Sequence, residues 1–319
     1  MCRHGAAVRH QTISEDSILQ HQTHLIASVV GIGRCKRLTQ QLRNDVARGM
    51  IMANGTDKDV PISLQQNYWD KWNASNREEG IAEASRRQGE IVHRWLSELG
   101  RTDLRILEVG CGTGWLCRHL TQFGQVTGID LSERVLERAK IRTPEVTFVP
   151  GDFMNLEFGS ETFDVIVALE VLSHVADQHA FLTKIVHNLR PGGYLMLATQ
   201  NRFVLKYLNL VPPTEPGQLR HWVSHRELRA LLEPKFKVLE LFSVTPQFAH
   251  GLGLRRWARS SKLAWPIRKL IGDRASKPPT TPTTLLDLQS RRQGAVISHL
   301  EAIGLGWTLM AKARKRVAR

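Results

Sequence analysis

The sequence predicts a doubly wound α/β fold, and two observations carry that expectation. From Leu104 onward, short apolar runs alternate with amphipathic stretches, the pattern of parallel strands joined by helices. The first run leads into a glycine-rich turn, Leu107-Glu-Val-Gly-Cys-Gly-Thr-Gly-Trp115, where this architecture carries a nucleotide-like ligand. With 319 residues and 42% hydrophobic content, the chain can fill the core of one sizeable domain and still carry extra segments.

Residues 1–60 show no sustained period of 2 or 3.6 and are expected to form a disordered extension. Met50 and Met52 close that stretch and are candidate biological starts. The domain is expected over 61–319. Its strand-like runs are Leu104–Val109, Gln125–Asp130, Val146–Pro150, Phe163–Leu169 and Tyr194–Thr199, with helices over Trp115–Phe123, Glu133–Ile141 and His179–Leu189. Arg190-Pro-Gly-Gly193 should break the third helix and turn the chain into the next strand. Ser224-His-Arg-Glu227 has capping-box spacing and opens a helix through Leu232. Phe236–Val244 and Gly304–Lys312 complete the strands, separated by an insertion over about 247–303.

Composition narrows the function classes. No apolar run approaches the roughly 18 residues of a membrane span, and no secretory cleavage pattern is present, so a soluble, cytoplasmic protein is expected. Cys2, Cys35, Cys111 and Cys117 lack paired Cys-x-x-Cys spacing, which fits a reducing compartment and suggests no zinc site. The formal charge is +14, and from Gly251 to Arg319 there are 15 Lys+Arg against Asp273, Asp287 and Glu301. Any basic partner surface is therefore C-terminal.

Gly110, Gly112 and Gly114 spell G-x-G-x-G, whereas the dinucleotide fingerprint wants its third glycine at 115, which is tryptophan. Glu108 is a poor neighbour for a pyrophosphate and a good one for a cation such as the sulfonium and ammonium of S-adenosylmethionine. The carboxylate of that molecule could lie near the N–H groups opening the helix at Trp115. Asp130 follows Gly110 by 20 residues, the spacing at which an acid reaches ribose hydroxyls, although this alone does not choose between the two cofactors. Asp152 follows the third strand and could accept from an adenine amino group, with Phe153 or Met154 on the ring.

Five ordered pieces, "ILEVGCGTG", "VTGIDLS", "FVPGDFMNL", "FDVIVALEVLSHV" and "LRPGGYLMLATQNR", make the chain resemble the class I S-adenosylmethionine-dependent methyltransferases over about 66–319. Within that family the likeness is to small-molecule enzymes, including the ubiquinone-biosynthesis O-methyltransferase type. The resemblance implies a Rossmann-like, three-layer α/β/α domain with a seven-stranded sheet, its last strand antiparallel. It places Glu108, Gly110, Gly112 and Gly114 around the methionine part of the cofactor and Asp130 with Leu131 at the ribose. Asp152 and Phe153 fall at the adenine, and Leu169 and Glu170 border the methyl-transfer centre.

Methyl transfer from a sulfonium asks the protein to hold the acceptor in line and to manage its proton. His174, just past the fourth strand, is the first candidate base; His221 is the second, with Trp222 as a flat wall and His225 as a solvated helix residue. Many related O-methyltransferases read Glu-His where this chain has Ser173-His174, so a metal ligand is missing and no metal is assigned, even though Glu170 and His174 could meet on one helical face. Tyr68 and Trp69 in "QNYWDKWNAS" belong either to a lid over the cofactor or to a helix packed on the sheet.

In the insertion, Leu263, Ile267, Leu270 and Ile271 oppose Lys262, Arg268 and Lys269, with Trp265 among the basic groups. Such a helix within 255–272 suits either a pocket lid or peripheral contact with an anionic membrane, and an amphiphilic acceptor would fit the latter. Nucleic acid is the competing use of the charge. Against it, "ALEVLSHV" is not the Asp/Asn-Pro-Pro-Tyr/Phe pattern of base-methylating enzymes. The expected activity is thus methyl transfer from S-adenosylmethionine to a small or lipid-like acceptor, at oxygen. An RNA methyltransferase and a catalytically silent cofactor-binding protein are the alternatives, with an NAD-dependent oxidoreductase behind them.

Overall fold

The computed structural model describes residues 60–76, 81–160, 162–205, 214–244, 301 and 306–317. The expected extension over 1–60, apart from Val60, lies outside the described residues. So does the insertion over 247–303, apart from Glu301, and with it the basic segment 255–272.

Two helices come first, α1 (Ile62–Asn76) and α2 (Glu83–Ser97). Strand β1 (Leu104–Val109) follows, then α3 (Trp115–Leu120) with a 3-10 turn at Thr121–Phe123, β2 (Gly124–Asp130), α4 (Glu133–Arg142) and β3 (Thr147–Pro150). The second half holds β4 (Phe163–Leu169), a 3-10 turn at Leu172–His174, α5 (Gln178–Asn188), β5 (Leu189–Gln200), α6 (His225–Leu232), β6 (Phe236–Val244) and β7 (Thr308–Lys315).

The strands form one seven-stranded sheet in the order β3-β2-β1-β4-β5-β7-β6. Strands β1 to β5 pair in parallel, and β7 runs antiparallel to both β5 and β6. Strand β4 shows why its sequence reads as a continuous apolar run. Val165 and Val167 face one core with Trp95, Leu116 and Leu136, while Ile166 and Ala168 face the other with Phe181 and Leu228. Both faces are covered by helices, so alternation of polar and apolar residues has no place here. The sheet is thus the middle of three layers. Between β1 and β4 the chain reverses its direction of winding, and the crevice this opens at the carboxyl ends of the strands is where such folds bind ligands.

Most elements fall within a few residues of expectation, and β5 and β7 differ most. Strand β5 begins at Leu189, immediately after α5, because Leu189 already pairs with Phe163 and the register then shifts before Val165 meets Tyr194. Arg190-Pro-Gly-Gly193 is an irregular strand start, with Gly192 at φ 73°, and not a separate turn. Strand β7 spans Thr308–Lys315, not Gly304–Lys312, since pairing with β5 and β6 sets its extent. Its polar end has partners that an apolar reading could not see: Lys312 Nζ reaches Glu98 at 2.6 Å, and Arg314 Nε donates to the Gly192 carbonyl at 3.0 Å. The capping box at Ser224 and Glu227 forms with both reciprocal hydrogen bonds. Among the described residues, no helix is long and apolar enough to cross a membrane.

Candidate functional site

The turn after β1 is built on three left-handed residues, Gly110, Gly112 and Gly114, at φ 70°, 52° and 71°. The outer two are also crowded. A Cβ at position 110 would stand 2.5 Å from Val171 Cγ2, and one at 114 would stand 2.7 Å from the Phe148 ring. Asp130, at the end of β2, holds the turn in shape. Its Oδ2 accepts from the Gly112 N–H at 2.8 Å and its Oδ1 from the Ser132 N–H at 2.9 Å. Leu131 follows, half-buried. Trp115, in the place of a third fingerprint glycine, packs on α2, where a Cβ at Gly89 would come within 2.7 Å of its ring.

Glu108 is buried beneath this turn, and its Oε2 accepts from the Cys117 thiol at 2.9 Å. Burial is the main force pushing its carboxyl up to about 8, and the charge of Asp130 adds to it. Burial likewise pushes the Cys111 thiol up to about 11 and, after hydrogen bonding to Cys111, also raises Cys117, so both sulfurs stay protonated. Asp130 is raised too, by its own burial first. Two acids short of positive charge therefore underlie the turn.

At the end of β4, Leu169 is half-buried, and Glu170 takes φ 61°, the one positive value among described residues other than glycine. A side chain held there costs backbone strain, which persists only where surrounding contacts impose it. Here Glu170 Oε1 accepts from Gln88 Nε2 at 2.6 Å and from Thr308 Oγ1 at 3.3 Å, tying β4 to α2 and β7. Glu170 and His174 consequently do not share a helical face. The left-handed turn separates Glu170 from the 3-10 turn that His174 closes, and the two side chains engage different partners. Among the described residues, no three His, Cys, Asp or Glu side chains converge to hold a metal.

The two candidate bases are positioned alike. His174 Nδ1 lies 2.7 Å from the Leu219 carbonyl and His221 Nδ1 lies 2.9 Å from the Val175 carbonyl. A carbonyl can only accept, so each Nδ1 carries a proton, and in a neutral ring the lone pair is then on Nε2. Backbone pairing joins the two segments, with His221 N–H donating to the Ser173 carbonyl at 2.8 Å. Gln178 Nε2 donates to the His221 carbonyl at 2.7 Å. Burial holds His174 down to about 4, with the charge of Arg220 acting in the same direction, so its ring is neutral near pH 7. Trp222 is more than an apolar wall: its Nε1 donates to Gln200 Oε1 at 2.7 Å, which also accepts from Ser173 Oγ at 3.1 Å. His225 opens α6, with Nε2 3.3 Å from the Leu241 carbonyl.

Helix α1 reaches the glycine turn through Asn73 and the segment after β4 through Trp69. The Trp69 and His174 rings meet edge to face at 4.7 Å. Tyr68 is buried beside Trp69, and burial raises its hydroxyl. Asp152 shapes its own loop, accepting from the Met154 N–H and from Asn155 Nδ2, each at 3.0 Å. Phe153 packs edge to face on Phe181 at 5.4 Å inside the core, which leaves the half-buried Met154 next to Asp152 at the surface of that loop. The sequence reading did not single out Gln88, Gln200, Asp70 or Asn73. Gln88 and Asn73 had one available signal, a polar residue on a helix face that is otherwise buried.

A family model described as a methyltransferase domain matches residues 80–235. The ubiquinone biosynthesis O-methyltransferase of Mesorhizobium japonicum is 43% identical over 112 residues, which is 34% of this chain and 45% of that protein. The enzyme of the same name from Rhodopseudomonas palustris strain TIE-1 is 38% identical over 104 residues, 31% of this chain and 41% of that protein. The chain thus spans less than half the length of these relatives. Among solved structures, a complex of the Trm112 methyltransferase activator with a methyltransferase of Haloferax volcanii matches with a TM-score of 0.50 and 19% identity, covering 78% of this chain and 98% of that chain. That likeness speaks for the fold. The family match falls on the segments that bear the glycine turn and both candidate bases, so this region is similar to a methyltransferase domain.

Proposed function

We propose that this protein moves a methyl group from S-adenosylmethionine to a hydroxyl oxygen of a small or amphiphilic acceptor. The observation that carries the reading is the pair of histidines whose Nδ1 atoms are bound to backbone carbonyls around the segment after β4, whose Val171 stands against Gly110 of the glycine turn. The residues present fit the cofactor. Glu108 and Asp130 are acids whose ionisation burial holds back, and a cationic, sulfonium-bearing molecule would favour their charged forms, whereas a pyrophosphate would oppose them. Gly110, Gly112 and Gly114 leave the backbone bare for close approach. The cofactor supplies an electrophilic methyl when bound; the chain supplies position and a proton acceptor.

His174 is unprotonated at neutral pH and so always free to accept, although weakly. That suits an acceptor whose hydroxyl acidifies as the new bond to oxygen forms. His221 stands on the paired segment as the second acceptor. Trp69 and Trp222 provide flat surfaces for an unsaturated or isoprenoid-like body. The activity for which the Mesorhizobium and Rhodopseudomonas relatives are named supports oxygen as the acceptor atom. The basic segment 255–272 supports peripheral contact with an anionic membrane, where an amphiphilic acceptor would reside.

Incubating the purified full chain with methyl-labelled S-adenosylmethionine and a metabolite-plus-lipid extract tests this. The expected result is a labelled methyl ether that survives nuclease treatment of the extract. Label in RNA would replace the reading with nucleic-acid methylation, and cofactor binding without any labelled product would replace it with a silent binding protein.

A further inference from the structure

Helix α1 presents a carboxylate that the cofactor motifs do not account for. Asp70 follows Trp69, whose ring meets His174, and stands three residues before Asn73. The Oδ1 of Asn73 lies 3.5 Å from where a Cβ on Gly112 would be. Positions i and i+3 share a helix face, so Asp70 and Asn73 both look onto the glycine turn. Asp70 Oδ1 is buried and has no hydrogen-bond partner among the described residues. The Asp70 charge reaches Asp130 and, after burial, helps to raise it. Acids from two elements therefore bear on the same turn, and one keeps an idle acceptor atom away from water. Asp70 lies in the middle of α1, too far from its first turn to cap it. A buried acceptor of this kind costs free energy until a donor or a positive charge meets it.

Resting on the methyltransferase reading above, we infer that Asp70 is a cofactor-binding residue carried by helix α1, and that its charge separates the methyl donor from the spent product. S-adenosylmethionine has a sulfonium, an ammonium and a carboxylate, and so bears one net positive charge. In transfer the S–CH3 bond breaks, its electron pair stays on sulfur, the O–CH3 bond forms, and the acceptor's proton passes to the base. S-adenosylhomocysteine is then a neutral thioether with no net charge. The pull of Asp70 and Asp130 on the ligand is greater before transfer than after it.

Calorimetric titration of the full chain with S-adenosylmethionine and with S-adenosylhomocysteine tests this in wild type and in Asp70→Asn, with thermal melts verifying that the variant is folded. The variant should bind the donor about tenfold more weakly and the product less than about twofold more weakly, the size of one lost charge-assisted contact. Asp70→Glu should keep the preference for the donor. Equal losses for both ligands, or no loss for the donor, overturn the inference while leaving the methyltransferase reading intact. A wild-type chain that binds neither ligand overturns both.

Discussion

His174 Nδ1 sits 2.7 Å from the carbonyl oxygen of Leu219, a residue 45 positions further along the chain, and that contact fixes which ring nitrogen is free to take a proton. Catalysis should depend on it. Replacing His174 with alanine is expected to lower kcat by about 100-fold to 10,000-fold, the range of a lost general base, with KM for the cofactor little changed. In wild type, the acid limb of the rate profile should fall near pH 4 and not near the ordinary histidine value of 6.5. Steady-state rates from pH 3.5 to 8 check both; full activity in the variant would remove His174 from the chemistry.

Stability should respond to pH through two groups of opposite sign. His174 is held down to about 4 from 6.5, so the unfolded chain takes its proton first, and this contribution, complete above 6.5, is lost as pH falls toward 4. Glu108 is raised to about 8 from 4.5, so its contribution is complete below 4.5 and is lost as pH rises through 8. Glu108→Gln removes the second slope. Relative to wild type without cofactor, it should gain about 3–4 kcal/mol between pH 5 and pH 8, measured by denaturant titration. An unchanged difference at the two pH values would mean that Glu108 ionises freely.

The three glycines of the turn should not behave alike. Alanine at Gly112 meets only Asn73 Oδ1 at 3.5 Å, an ordinary contact, and pays backbone strain of about 1–2 kcal/mol. Alanine at Gly114 adds a 2.7 Å approach to the buried Phe148 ring to the same strain. Gly112→Ala should therefore fold with a modestly lower Tm, and Gly114→Ala should lose several degrees more. Melting curves of the two variants decide the order.

Glu170 joins three elements through one oxygen. Glu170→Ala removes the acceptor of Gln88 and Thr308 and is expected to cost about 1–3 kcal/mol, because it leaves the buried Gln88 amide without that partner. Glu170→Gln keeps an oxygen at the same reach and should recover most of the loss. Chemical denaturation of both variants gives the comparison.

How much of this was readable depends on whether a residue's role is local. β4 and β6 were legible to their end residues, and the capping box at Ser224 and Glu227 formed as its spacing implied, since each is set by neighbours in sequence. The left-handed glycines of the turn were legible for the same reason, whereas the bonds by which Asp130 holds that turn were not. The start of β5 was not, because Leu189 is drawn into the sheet by Phe163 across a register shift. Gln88 and Asp70 were not either. Which way a helix turns its polar residues is decided by what it packs on, and α2 and α1 reach the site from before β1. The tautomer of His174 likewise comes from a carbonyl that no spacing rule connects to it.

β7 enters the sheet between β5 and β6 although residues 245–307 separate it from β6. On the ribosome, the other six strands of this sheet emerge before this one, so the growing sheet waits with a slot flanked by two exposed ladders of N–H and C=O groups. Fragments that stop before Thr308 would keep that slot open, inviting another chain to fill it. Selection for rapid, faithful completion should thus weigh most on the eight residues that are translated last among the strands.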